Sequence, residues 1–117
     1  MDKVDLQRRS MRLALDVIKL TKLLPFCQES KVITYQIIKS STSTAANYRA
    51  SCRAKSRKDF IAKLGIVEEE CDETIFWLEL INEAKLIDTI IVDPLMQESS
   101  SLLAIFVASI KTASKGL

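Results

Sequence analysis

A helical apolar repeat in the middle of the chain is the feature that most constrains the fold. Apolar or small residues recur there at alternating steps of four and three, which places them on one face of an α-helix. The repeat consists of Phe60, Leu64, Val67, Cys71, Thr74, Leu78 and Ile81. Only 2 glycines and 2 prolines occur in 117 residues, so few positions interrupt a helix. The sequence therefore predicts long amphipathic helices.

Two further helices are predicted before this repeat. The first covers residues 5–24 and ends before Pro25, because proline disfavours helical geometry in the preceding residue. Its apolar stripe is Leu6, Ser10, Leu13, Val17, Leu20 and Leu24. The second covers residues 29–54, and its predicted stripe is Tyr35, Ile38, Thr42, Ala45, Arg49 and Cys52. The small residues 40–46 favour close approach of a neighbouring helix.

Start signals place the third and fourth helices. Ser56 and Asp59 have the spacing of a capping box, which predicts that helix three begins at Ser56. Helix four is predicted to begin near Asp93 with Pro94 in its first turn, after a frayed end and loop at residues 86–92. Gly65 is expected to mark a close helix contact. The stripe of helix four is Met96, Ser99, Leu103, Phe106, Ile110 and Ala113.

Four such helices with short links predict an all-α, antiparallel up-down-up-down four-helix bundle, with residues 1–117 forming a single domain. The three cysteines lack metal-ligand spacing and are expected to be free thiols. The N-terminus carries no apolar signal-peptide segment, and the longest uncharged run, 99–110, is shorter than the roughly 20 residues of a membrane span. These observations predict a soluble, cytoplasmic protein with no membrane partner.

Charge is unevenly distributed along the chain. Residues 1–63 carry 14 Lys and Arg against 5 Asp and Glu, whereas residues 64–117 carry 3 against 10. The basic run is Arg49, Arg53, Lys55, Arg57, Lys58 and Lys63, and Arg8, Arg9 and Arg12 could extend it. In an antiparallel hairpin the basic and acidic runs are roughly 15–20 Å apart along the axis, beyond a Debye length of about 8 Å. Three alternatives follow: a solvated end, contact with acids of a neighbouring subunit, or contact with nucleic-acid phosphates.

The acidic run offers the best indication of an enzyme. Glu69 and Glu73 are one helical turn apart and, with Glu70, could share Mg²⁺ in the manner of MazG-type nucleotide pyrophosphohydrolases. The second carboxylate pair of those enzymes is missing, and the chain has no histidine. We therefore predict no enzymatic activity, no cofactor and no metal, with a Mg²⁺-dependent nucleotide phosphohydrolase as the alternative. Trp77 is expected either to cover the edge of the core or to lie at a subunit interface.

The central sequence also carries a family resemblance. Residues 43–84 read STAANYRASCRAKSRKDFIAKLGIVEEECDETIFWLELINEA, and the most specific parts are ANYRA, EEECDET and WLEL. This stretch resembles the signature of the bacterial four helix bundle protein family, whose members are encoded in intervening sequences of 23S rRNA genes and are also called S23 ribosomal proteins. Many members have N-I-A-E-G where this chain has residues 47–51, so a glutamate and a glycine are lost and an arginine is gained.

The resemblance implies an up-down bundle without established enzymatic activity. It also implies ring-shaped homo-oligomers, pentamers in particular, and a distant similarity to a basic pentamer of diversity-generating retroelements that contacts nucleic acid. Together with the charge pattern, this predicts a non-enzymatic oligomeric scaffold or RNA-associated protein. The basic run would contact nucleic acid or a subunit. The expected acidic and aromatic subunit contacts are Glu69, Glu70, Glu73 and Trp77.

Overall fold

The computed structural model describes all residues 1–117, which form four α-helices and no strand. These are α1 (Lys3–Thr21), α2 (Gln28–Ser51), α3 (Arg57–Glu83) and α4 (Thr89–Ser114). Links of five or six residues are too short to run back along a helix, so consecutive helices are antiparallel. Each helix packs against two neighbours, in the cyclic order α1–α2–α3–α4, in a body of 49 × 21 × 21 Å. The predicted four-helix bundle is confirmed.

Side-chain caps set the helix starts. The Asp2 carboxylate accepts a hydrogen bond from the Asp5 N–H at 2.9 Å, so α1 begins earlier than predicted. Ser56 Oγ accepts from the Asp59 N–H at 3.1 Å, which confirms the predicted start of α3. The capping box is not reciprocal, because the Asp59 carboxylate accepts from the Lys55 N–H at 3.0 Å. At the other end of α3, Lys85 adopts left-handed geometry (φ 53°) and turns the chain towards α4.

The predicted faces of α1 and α3 are the buried ones. Six of the seven residues in the α3 repeat, from Leu64 to Ile81, are buried, and Phe60 packs partly buried against the core. In α1 the stripe from Leu6 to Leu20 is buried, although the helix ends at Thr21 rather than at Leu24. Periodicity is a reliable guide in these helices because each has one face with bulky apolar side chains.

The predicted stripe of α2 is wrong. Tyr35 is 60% exposed and Arg49 is also exposed, whereas the buried face includes Ile33, Ile37, Tyr48 and the hydroxyl residues Ser40, Ser41 and Thr44. Their small side chains allow α2 and α3 to pack closely, and their hydroxyls are satisfied locally. Ser40 Oγ lies 2.8 Å from Thr74 Oγ1 across the helix pair, and Thr44 Oγ1 donates to the Ser40 carbonyl at 2.8 Å.

The predicted start of α4 is also wrong. The helix begins at Thr89, after Asp88 accepts a hydrogen bond from the Ile90 N–H at 3.0 Å, and Pro94 lies inside it. Burial of Val92 fixes this additional first turn to the core. Gly65, expected at a close contact, has no atom within 4 Å of the position a Cβ would occupy, so that expectation is wrong as well.

Helix α4 is the one helix long and apolar enough to meet the length and composition criteria for crossing a membrane. This is a weak indication, because core helices of soluble proteins meet the same criteria. Here α4 contributes Val92, Ser99, Leu102 and Phe106 to the buried interior, where they contact the other helices. If α4 left the bundle, its buried face would lose these contacts.

Candidate functional site

The largest surface depression lies between α1 and α2 and has a volume of about 620 Å³. We call it the arginine groove. Helix α1 contributes Arg8 and Arg12, one turn apart, and the C-terminal end of α2 contributes Arg49, with Arg53 in the turn that follows it. The remaining lining residues are Gln7, Met11, Leu15 and Ala45. The structure thus joins two basic residues of the predicted run to two from α1.

Three of the four arginines in the groove form no ion pair. Only Arg12 has an acidic partner, Asp16 of the same helix, at 3.3 Å. The groove also has apolar side chains in contact with solvent, since Met11 is 51% exposed and Leu15 is 47% exposed. It therefore combines uncompensated positive charge with exposed apolar surface.

Arg9 does not belong to this surface, contrary to the grouping expected from sequence. Its guanidinium forms two hydrogen bonds with the Glu98 carboxylate of α4, at 2.7 and 2.9 Å, and a third with Ser101 Oγ at 3.0 Å. The bond to Glu98 raises the pKa of Arg9. This pair connects α1 to α4 on the other side of the bundle and has a structural role.

A second positive surface, which we call the basic end, lies at the link between α2 and α3. It consists of Lys55, Arg57 and Lys58, none of which forms an ion pair. The end of α4 is adjacent, because Arg57 Nη1 donates to the Lys115 carbonyl at 3.3 Å. Lys63, predicted to extend this surface, is instead paired with Asp59 at 2.6 Å, and this contact lowers the Asp59 pKa.

The outward face of α3 carries a third surface, the acidic ridge, formed by Ile66, Glu69, Glu73 and Phe76. These residues follow steps of three, four and three, so they share one face. Ile66 is 45% exposed and Phe76 is 53% exposed, so the ridge combines negative charge with apolar side chains in contact with solvent. Trp77 borders the ridge, packs against the core, and donates from Nε1 to Glu73 Oε1 at 3.3 Å.

Glu70 is separate from the acidic ridge. It is half-buried, and burial, reinforced by Glu73, raises its pKa, whereas the Lys39 charge on α2 acts in the opposite direction. No group of three His, Cys, Asp or Glu side chains is close enough to hold a metal ion. The predicted carboxylate cluster is thus divided between two faces of α3.

The structure also bears on the separation of the two charged runs and on the exposure of Tyr48. No ion pair joins the basic run of α2 to the acidic run of α3. Tyr48, the aromatic residue within the basic run, is buried with its ring centroid 5.4 Å from that of Phe106, and burial raises its pKa. Its ring is therefore not available for stacking against a nucleobase.

The cysteine of α3, Cys71, is also buried, and burial raises the pKa of its thiol to about 12.

Comparisons with known proteins agree with this architecture. The family model described as "23S rRNA-intervening sequence protein" matches residues 2–108. A similar solved structure is the 1.70 Å crystal structure of a protein of unknown function from the S23 ribosomal protein family of Bacteroides thetaiotaomicron VPI-5482. It is 33% identical with a TM-score of 0.83, and the match covers 91% of this chain and 98% of that one. No curated protein sequence matches. The chain belongs to the family of 23S rRNA-intervening sequence proteins.

Proposed function

We propose that this protein is a non-enzymatic, self-associating helical bundle that binds RNA through phosphate contacts at its basic end. One observation carries the proposal. The basic end carries three cations, Lys55, Arg57 and Lys58, and none of them forms an ion pair. Uncompensated cations near the surface attract the phosphate backbone and release its counterions.

The kind of binding follows from which groups are available. Lys55 and Lys58 offer mobile ammonium groups, and Arg57 offers a planar guanidinium beside the end of α4. No exposed aromatic ring lies among these residues, since Tyr48 is buried. We therefore expect binding that depends on salt and discriminates little between base sequences.

The test compares two charge reversals of equal size at opposite ends of the bundle. Lys55→Glu/Lys58→Glu changes the basic end, whereas Lys19→Glu/Lys22→Glu changes the opposite end by the same charge. Fluorescence anisotropy with single-stranded RNA at several salt concentrations measures the affinity. The first variant is expected to reduce the slope of log K against log salt by about 1 to 2, because at least two phosphate contacts are lost. Equal losses in both variants, or no binding by the unmodified protein, would overturn the RNA proposal.

Self-association is the second part of the proposal. The exposed apolar side chains Ile66 and Phe76 on the acidic ridge are typical of subunit contacts. We expect light scattering to give a particle several-fold heavier than the 13.2 kDa of one chain, with a pentamer as the assembly that the resemblance implies. A mass of 13.2 kDa at all concentrations would refute this part alone. We propose a cytoplasmic location, which the sequence also predicts.

A further inference from the structure

Two surfaces of this bundle carry opposite charges, and each combines its charged residues with exposed apolar side chains. The arginine groove combines four arginines with Met11 and Leu15, and the acidic ridge combines Glu69 and Glu73 with two apolar residues. Neither surface forms an ion pair within the chain, apart from Arg12 with Asp16. The two lie on different faces, because the groove is between α1 and α2 whereas the ridge is on the outward side of α3.

The charged residues of the acidic ridge and of the arginine groove also have the same spacing. Glu69 and Glu73 are four residues apart, which is about 6 Å along a helix. Each wall of the groove presents its arginines with the same spacing, so two carboxylates can face two guanidinium pairs. The apolar residues of the ridge then meet the exposed side chains of Met11 and Leu15.

We propose that the acidic ridge of one copy occupies the arginine groove of a second copy. The inference rests on the self-association part of the proposed function and specifies its surfaces. Exposed methionine and leucine beside arginines gain nothing from a phosphate chain, whereas arginine, methionine and aromatic residues are enriched in protein interfaces. A protein partner therefore fits the groove better than RNA does, and RNA remains assigned to the basic end.

This contact joins two different surfaces, so it is heterologous. Every copy can donate its ridge to one neighbour and its groove to another, and addition continues until a ring closes. Burial of Ile66 and Phe76 supplies the apolar part of the contact, and the charges fix its register. High salt is thus expected to weaken the assembly without abolishing it.

Charge reversal with rescue tests the proposal. Arg49→Glu/Arg53→Glu makes the groove acidic, and Glu69→Arg/Glu73→Arg makes the ridge basic. Each double variant is expected to weaken self-association about 100-fold or more, because like charges then face each other. The chain carrying all four substitutions reverses both surfaces and is expected to recover assembly to within about tenfold. Sedimentation equilibrium over a range of protein concentrations measures the dissociation constants.

A matched control separates this contact from general charge effects. Glu79→Arg/Glu83→Arg makes the same charge change on exposed residues of α3 beyond the C-terminal end of the ridge and should leave assembly unchanged. If the unmodified protein assembles and neither double variant weakens it, the docking proposal fails although self-association stands. If the protein is monomeric, both fail. Loss of RNA binding without loss of assembly in the groove variant would assign the groove to phosphate and also overturn the proposal.

Discussion

Substitution of a single buried serine is expected to stabilise this protein. Ser99 on α4 is fully buried, and its hydroxyl has no hydrogen-bond partner. A buried hydroxyl without a partner keeps its desolvation cost, which is about 1–3 kcal/mol. Ser99→Ala removes that cost and leaves the backbone carbonyl free to accept from Cys71 Sγ as before, at 3.4 Å.

The size of the effect combines this gain with smaller contributions. Alanine also favours a helix over serine by a few tenths of a kcal/mol. The loss of one oxygen leaves only a minor packing defect, so we expect a net gain of about 1–2 kcal/mol in the free energy of unfolding. For a chain of this length that gain corresponds to an increase of about 4–8 °C in Tm.

Ser40→Ala is the matched control, because it removes a buried hydroxyl that does have a partner. Ser40 Oγ lies 2.8 Å from Thr74 Oγ1, and its removal is expected to cost about 1 kcal/mol. Both variants are to be compared by urea denaturation and calorimetry at one protein concentration, since assembly makes Tm concentration-dependent. Destabilisation by Ser99→Ala equal to that of Ser40→Ala would show that the Ser99 hydroxyl is satisfied and would refute the reasoning.

Two further predictions concern the acidic residues of α3. Burial raises the folded pKa of Glu70, so its ionisation lowers stability as pH rises through that pKa. Glu70→Gln should therefore be more stable than the unmodified protein at pH 7 and equal to it at pH 3, as measured by urea denaturation. If Glu70→Gln is still more stable than the unmodified protein at pH 3, ionisation of Glu70 is not the cause of the difference. Because Glu69 and Glu73 do not form a group of three ligands with any other side chain, calorimetric titration with Mg²⁺ should give no heat of binding and nucleotides should not be hydrolysed. Measurable Mg²⁺-dependent hydrolysis of a nucleotide would contradict this prediction and support the phosphohydrolase alternative.

The division of the basic run is the main functional consequence of the fold. Arg49 and Arg53 face α1 and line the arginine groove, Arg57 lies at the basic end, and Lys63 is bound to Asp59. A linear run of charge thus becomes two surfaces and one internal ion pair. The arrangement allows RNA contact and subunit contact to use different residues of the same chain.

The sequence predicts the structure correctly where one property of a residue determines its position. The four-three repeat of α3 identified its buried face, because bulky apolar side chains have a single favourable direction in a bundle. Ser56 was identified as the start of α3, because a hydroxyl before a helix has a local partner. The family signature lies within the same stretch, so fold and family could both be predicted from sequence.

The errors occurred where a neighbouring helix determines the outcome. The small residues 40–46 indicated that a neighbouring helix approaches α2 closely, but apolar bulk within α2 did not indicate that Ser40 and Thr44 lie on its buried face. The earlier start of α4 depends on Val92 reaching the core. Apolar bulk, periodicity and local caps therefore predicted the start of α3 and the buried faces of α1 and α3.

The sequence by itself determined four amphipathic helices, the concentration of positive charge before residue 64 and the concentration of negative charge after it. Tertiary structure alone decided which charges meet. It pairs Arg9 with Glu98 and leaves Arg8 beside Arg49, although Arg8 and Arg9 are adjacent in sequence. Adjacent residues on a helix point about 100° apart, so the helix that lies in each direction determines whether a charge is neutralised or exposed.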